Sequence, residues 1–121
     1  MIKIVDIKIS NVKSIQNALK KVGVDSQIID VPNLIHDASG LVLPGVGNFD
    51  EAMTKLKNSN WIDPLNHSVL SKKIPVLGIC LGMQIMSNSS EEGKLNGFGW
   101  FDDKVKKMSN LYANNEKLPL P

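Results

Sequence analysis

Three features of the sequence predict an α/β protein built on a doubly wound, mostly parallel sheet. Apolar strand-like runs alternate with helix-periodic segments three times in about eighty residues. The most strand-like run, Ile74-Pro75-Val76-Leu77-Gly78-Ile79, lacks polar alternation, which marks a central parallel strand covered on both faces. Glycine-rich turns close two of the apolar runs, at Pro44-Gly45-Val46-Gly47 and around Cys80. Ligands of open α/β sheets bind at such strand ends.

The elements follow in order. Ile2 to Ile7 reads as a first strand. Asn11, or Ser10 before it, can cap a helix running to about Val22, with Val12, Ile15, Ala18, Leu19 and Val22 at helical spacing. Gly23 is placed to stop it. Ser26 to Val31 reads as a second strand, broken by Pro32. Gly40 to Leu43 is a third, fully apolar strand, and a short helix is expected from Asp50 to Lys57. Asp63-Pro64 offers an N-cap followed by a first-turn proline. The helix it opens carries Leu65, Val69 and Leu70 and ends in Lys72-Lys73, where cations suit the helix dipole. After Glu92 the periodicity fades. Lys104 to Met108 is a strand candidate, and Ser109 to Lys117 reads as loop.

Composition fits one small domain spanning residues 1–121, with no internal repeat. A net charge of +2 is too small to suggest a nucleic-acid partner. All basic residues are lysines, which removes the side chain best suited to bidentate phosphate binding. The lysines are scattered and read as a solvated surface. No apolar run approaches membrane-spanning length, and the N-terminus does not read as a signal sequence. One cysteine cannot form an internal disulfide, so a cytoplasmic protein with a free thiol is expected. Nothing in the pattern calls for a metal or an organic cofactor.

That cysteine lies where the strongest strand should pass into a helix. Gly78-Ile79-Cys80-Leu81-Gly82 has the Gly-x-Cys-x-Gly spacing of a nucleophile elbow, a strained turn that lifts the nucleophile into solvent. The glycines allow close packing and unusual backbone angles. A helix start beneath the sulfur favours its thiolate, the reactive form. The Leu81 amide is placed to donate to an oxyanion. A lone cysteine is otherwise often a small buried hydrophobe, and the flanking glycines favour the elbow. Pro44-Gly45-Val46-Gly47, at the end of a neighbouring strand, is by itself a tight turn. Beside Cys80 it can supply a second oxyanion donor, the Val46 amide.

Pro44-Gly45-Val46-Gly47-Asn48-Phe49, then Gly78-Ile79-Cys80-Leu81-Gly82-Met83-Gln84, then Ser90-Glu91-Glu92-Gly93 together resemble the class I glutamine amidotransferases. Within that family the chain is most similar to the HisH-type glutaminase subunits of imidazole glycerol phosphate synthase. The resemblance implies that Cys80 attacks the carboxamide of L-glutamine and forms a glutamyl thioester. The amides of Val46 and Leu81 would hold the oxyanion. Gly47, Gln84 and Glu92 would bind glutamine, Glu92 facing its α-ammonium. Two departures stand out. The family's Asp-Tyr-Gly-x-Gly-Asn loop is here Asp6-Ile7-Lys8-Ile9-Ser10-Asn11, without either glycine. The family also takes a histidine and a glutamate from far downstream of the cysteine, whereas His36 and His67 both precede Cys80. Leu118-Pro119-Leu120-Pro121 resembles the segment just ahead of a family Pro-His-x-Gly-Trp motif, so a chain truncated at its C-terminal part is expected.

The function this implies is hydrolysis of glutamine to glutamate and ammonia, with ammonia passed to a synthase partner. In the nearest relatives the partner is a HisF-like (β/α)₈ barrel cyclase of histidine biosynthesis, in a heterodimer. A sugar amidotransferase of surface-polysaccharide synthesis is an alternative acceptor. A small cysteine hydrolase with the same elbow is a rival, as is a binding module that keeps the fold without the chemistry.

Overall fold

The computed structural model describes residues 1–108. Strand β1 (Ile2–Val5) lies between β2 (Ser26–Ile29) and β3 (Gly40–Gly45), and β4 (Val76–Cys80) pairs with β3. All three pairings are parallel, giving the order β2-β1-β3-β4. The register places Ile4 beside Val42, and Gly45 beside Cys80. The glycine-rich turn after β3 and the cysteine after β4 therefore leave the sheet at the same end.

Strand alternation gives each face its own helices. Val5, Leu41 and Leu43 join the main core with Phe49, Ala52, Met53 and Leu56 of α2 (Phe49–Asn58). Leu65 of α3 (Ile62–Asn66) is in the same cluster. On the opposite face, Leu19 of α1 (Val12–Lys21) shares an apolar depression with Ile2, Val42 and Leu77. That face is only partly covered, since no residue of α1 is buried and Val22 is 74% exposed. The doubly wound α/β arrangement holds, with its weight on the α2–α3 face.

Local signals account for most helix ends. The Asn11 side chain accepts from Ser14 N and starts α1, and Gly23, at φ +82°, follows its end. The Asn48 side chain accepts from Glu51 N at 3.1 Å and starts α2. Asp50 and Glu51 lie in its first turn and Lys55 and Lys57 in its last, as the helix dipole favours. Asp63 and Pro64 behave differently from expectation. The helix begins at Ile62 after Trp61, so both residues lie inside the first turn. Trp61 is 1% exposed, and its amide donates to Leu56 O; burial of the indole fixes where the helix begins. Pro64 is tolerated because first-turn amides have no intrahelical acceptor. The helix then runs into a π-turn over His67–Ser71.

Three further expectations need correction. Among the described residues β4 is an edge strand with β3 as its one neighbour, and Leu77 is exposed. No described strand or helix covers that side. Lys3 is buried rather than solvated. Its ammonium donates to Leu34 O at 2.5 Å and to His36 O, tying the 3₁₀ turn Pro32–Ile35 beneath the sheet. The strand candidate at Lys104–Met108 is reduced to β6 (Lys104–Val105), paired with β5 (Ser89–Ser90). The expected loop at Ser109–Lys117 and the Leu118–Pro121 tail lie outside the described residues. No helix of the described residues is long and apolar enough to cross a membrane.

Leu56 is fully buried and Leu70 is 56% exposed. Leu56→Ala should lower stability to urea by about 2–5 kcal/mol. Leu70→Ala should stay within about 0.5 kcal/mol of wild type. Equal losses would contradict the assigned core.

Candidate active site

Cys80 ends β4 and immediately precedes α4 (Leu81–Gln84). Its backbone sits at φ 53°, ψ −119°, a region that costs a non-glycine residue about 1–3 kcal/mol and clusters at functional sites. The flanking glycines hold this turn in place by close approach. A Cβ on Gly82 would stand 1.6 Å from Leu43 O, and one on Gly78 would stand 2.6 Å from Met83 Cα. Any side chain at either position would push α4 off the sheet. The thiol is free and exposed. α4 is a single turn, so the elbow rests on the glycine contacts rather than on a long helix.

The turn after β3 lies alongside, because Gly45 is the register partner of Cys80. Gly47 has φ +107° and open space around its Cα, and Val46 is 63% exposed. The Val46 amide is committed elsewhere. It donates to Ile9 O at 3.1 Å, in the loop that follows β1. The Leu81 amide opens α4 and so has no intrahelical acceptor. One of the two expected oxyanion donors is thus occupied by a backbone carbonyl.

The β1 loop keeps a left-handed residue without its glycine. Lys8 sits at φ 66°. The Asp6 carboxylate accepts from both Lys8 N at 2.9 Å and Lys8 Nζ at 3.0 Å. The same hydrogen bond and charge raise the Lys8 pKa above 10.5. One buried carboxylate therefore closes the turn in place of glycine's conformational freedom.

Gln84 is the last residue of α4 and half-buried; its carbonyl accepts from the Ser87 hydroxyl at 2.6 Å. Glu92 is exposed on a turn whose amides are held at both ends. Its own N–H donates to Ser90 Oγ at 3.1 Å. Past Gly93, the amides of Lys94 and Leu95 donate to the Asp50 carboxylate at 2.9–3.0 Å. Those amides, Lys94 first, hold the Asp50 carboxyl below its ordinary 3.8. Asp50 is three residues past Gly47, so the Glu92 turn and the β3 turn meet at the start of α2.

A family model described as "Glutamine amidotransferase class-I" matches residues 3–119. The chain belongs to this family. It is 48% identical over 119 residues to imidazole glycerol phosphate synthase subunit HisH 2 of Methanococcus maripaludis, covering 98% of this chain and 58% of that protein. It is 44% identical over 121 residues to subunit HisH of Leptospira interrogans, covering all of this chain and 59% of that protein. The chain thus spans a little over half the length of these curated relatives. Among solved structures, one titled as a glutamine amidotransferase superposes with TM-score 0.71 at 13% identity, over 94% of this chain and 59% of that one. At that identity the match speaks for the fold alone.

Within this class-I amidotransferase chain the two histidines stand apart from the cysteine. His36 precedes β3 and His67 precedes β4, so both lie toward the starts of strands whose far ends carry Val46 and Cys80. They line one depression of about 400 Å³ together with Asp63 and Lys72. A second depression, about 660 Å³, is lined by Pro32, Lys57, Ile62 and Pro64 and is likewise remote from the elbow. The geometry also brings in residues the sequence did not flag. Asp50 has no motif of its own, and Ile9 acts through a carbonyl. Trp100 donates to Asn66 Oδ1 at 2.7 Å and stacks on Phe98 at 4.3 Å, docking the segment after the Glu92 turn onto α3. The spacing Gly97-Phe98-Gly99-Trp100 was the available signal for that segment.

Because Cys80 is exposed, iodoacetamide should modify the native protein at least as fast as the urea-unfolded chain. Modification only after unfolding would place the thiol in the core. A carboxyl held low in the folded chain contributes stability above its unfolded value of 3.8 and loses it as pH falls through the lower folded value. The stability gap between wild type and Asp50→Ala should therefore be full at about pH 6 and narrow below 3.8. A gap that is flat across that range would show that ionised Asp50 does not hold the turn.

Proposed function

We propose that the protein hydrolyses L-glutamine to glutamate and ammonia through a thioester on Cys80. The observation that carries this reading is the exposed cysteine at positive φ, beside the turn after β3 and at the start of α4. The Cys80 thiolate attacks the carboxamide carbon, and the carbonyl oxygen becomes an oxyanion. Collapse of that intermediate breaks the C–N bond, and the nitrogen leaves as ammonia after taking a proton. Water then attacks the thioester carbon, releasing glutamate and returning the thiol.

The Leu81 amide is the first oxyanion donor in this scheme. The Val46 amide is the second and joins once it leaves Ile9 O. Gly47 and Gln84 line the glutamine site, and exposed Glu92 receives the α-ammonium. The proton-transfer group is neither His36 nor His67, which the topology places toward the other end of the strands. The relatives' names extend the proposal to a partner. Ammonia passes to a HisF-like synthase subunit in a cytoplasmic heterodimer of lyase type, acting in histidine biosynthesis.

The test is ammonia release from glutamine by the full-length protein, with and without that synthase subunit, using Cys80→Ala as blank. Val46→Ala should keep most of the activity, since only its backbone is used. Val46→Pro should lose about 10²–10³ in rate, the usual effect of deleting an oxyanion donor. Turnover equal to the Cys80→Ala blank under all conditions would end the glutaminase reading. Equal rates for the two Val46 variants would remove that amide from the oxyanion site.

A further inference from the structure

We propose that Asp50 is a positioning residue for substrate affinity, holding Glu92 at the glutamine site by clamping the turn that carries it; this rests on the glutaminase reading. Asp50 is the second residue of α2. Both its carboxylate oxygens accept from the Lys94 amide, at 3.0 and 2.9 Å. Oδ1 also accepts from the Leu95 amide at 2.9 Å. Carboxylates that accept several backbone amides form the strong class of hydrogen bond, and the depressed Asp50 pKa agrees with that geometry.

The clamp leaves no room for a side chain between its jaws. A Cβ on Gly93 would stand 2.5 Å from Asp50 Oδ1 and 3.4 Å from Phe49 Cδ1. On the other side of Glu92, Gly93 N donates to Ser90 O at 3.2 Å and Glu91 N to Val105 O at 2.9 Å. Glu92 is therefore the exposed member of a turn fixed on both flanks. Its carboxylate makes no ion pair with the described residues. Such a group is pre-set for an incoming cation, and its ordering has already been supplied by the turn. Asp50 also belongs to the segment that follows Gly47. A single carboxylate thus keeps the β3 turn and the glutamate turn in register.

Removing the clamp should weaken substrate binding without changing the reactivity of Cys80. The probe is 6-diazo-5-oxo-norleucine, a glutamine-shaped electrophile, labelling Cys80 of the full-length protein. Asp50→Ala should raise the half-saturating concentration about tenfold, the scale of one lost charge-assisted hydrogen bond. The maximal labelling rate should be unchanged. Asp50→Asn keeps one acceptor oxygen but not the charge and should fall between wild type and Asp50→Ala. Gly93→Ala should reproduce Asp50→Ala. An unchanged half-saturation in Asp50→Ala overturns the proposal, and so does a Gly93→Ala variant that keeps the wild-type value. Loss of iodoacetamide reactivity at Cys80 in both Asp50 variants also overturns it, by showing a general collapse of the site. Wild-type labelling that never saturates removes the glutaminase reading itself and the inference with it. Saturable wild-type labelling untouched by Asp50→Ala removes the inference alone.

Discussion

The contact of the Leu43 carbonyl with the bare Cα of Gly82 sets the geometry of everything around Cys80. β3 and β4 are neighbours in the sheet, and α4 must turn back over β3 within two residues of the end of β4. A helix can lie that close to a strand backbone only where one residue has no side chain, and the position in question leaves 1.6 Å for a Cβ. The turn required to bring the chain there leaves Cys80 in a left-handed conformation. The strain falls on the cysteine because the residues on either side of the turn are already committed, one to the sheet and one to the core. Leu81 is 4% exposed and belongs to the main cluster. The thiol is held outward because its neighbours are held inward.

Other strained positions divide by their compensation. Lys8, Asp37, Asn60, Lys73 and Cys80 all have positive φ. At Lys8 the Asp6 carboxylate supplies two hydrogen bonds that close the turn. Asn60 follows α2, where asparagine is among the residues that tolerate this conformation. At Cys80 no side-chain cap bond closes the turn, and the compensation comes from the packing of Gly78, Leu81 and Gly82 at the end of the ladder with β3. That difference has a physical consequence. A hydrogen-bonded turn can be remade by exchanging partners, whereas a packed one keeps its shape until the core opens.

Much of this was legible in the sequence because it is local. The Asn11 cap, the Gly23 stop and the Gly-x-Cys-x-Gly elbow each depend on residues a few positions apart, and the structure places them where the sequence does. The failures involve distant partners. The apolar run Val76–Cys80 shows that a strand forms, but what covers it is decided by other segments, and Leu77 is exposed. Asp63-Pro64 carries a good capping signal that loses to burial of Trp61. The turn after Glu92 has no periodicity because its order comes from Asp50, 44 residues away from Lys94, and from Asn66, 34 residues from Trp100. The commitment of the Val46 amide could not be read at all, since backbone carbonyls leave no trace in a sequence.

The order β2-β1-β3-β4 explains why that amide is contested. β3 is the strand flanked on one side by the β1 loop and on the other by the cysteine elbow. Its C-terminal turn therefore has two neighbours that can use one N–H. In the structure the β1 loop holds it, through Ile9 O at 3.1 Å. In the proposed reaction an oxyanion at Cys80 competes for the same proton. A neutral amide–carbonyl bond contributes about 1 kcal/mol net, and a bond to a full negative charge about twice that. The exchange is then unfavourable or neutral while the carbonyl of the substrate is uncharged, and becomes favourable as charge develops on its oxygen. Hydrogen bonding of this kind stabilises the transition state more than the bound substrate, which is the requirement for raising a rate rather than tightening binding. The β1 loop, although it contributes no side chain to the chemistry, sets the free-energy difference that the developing charge must overcome.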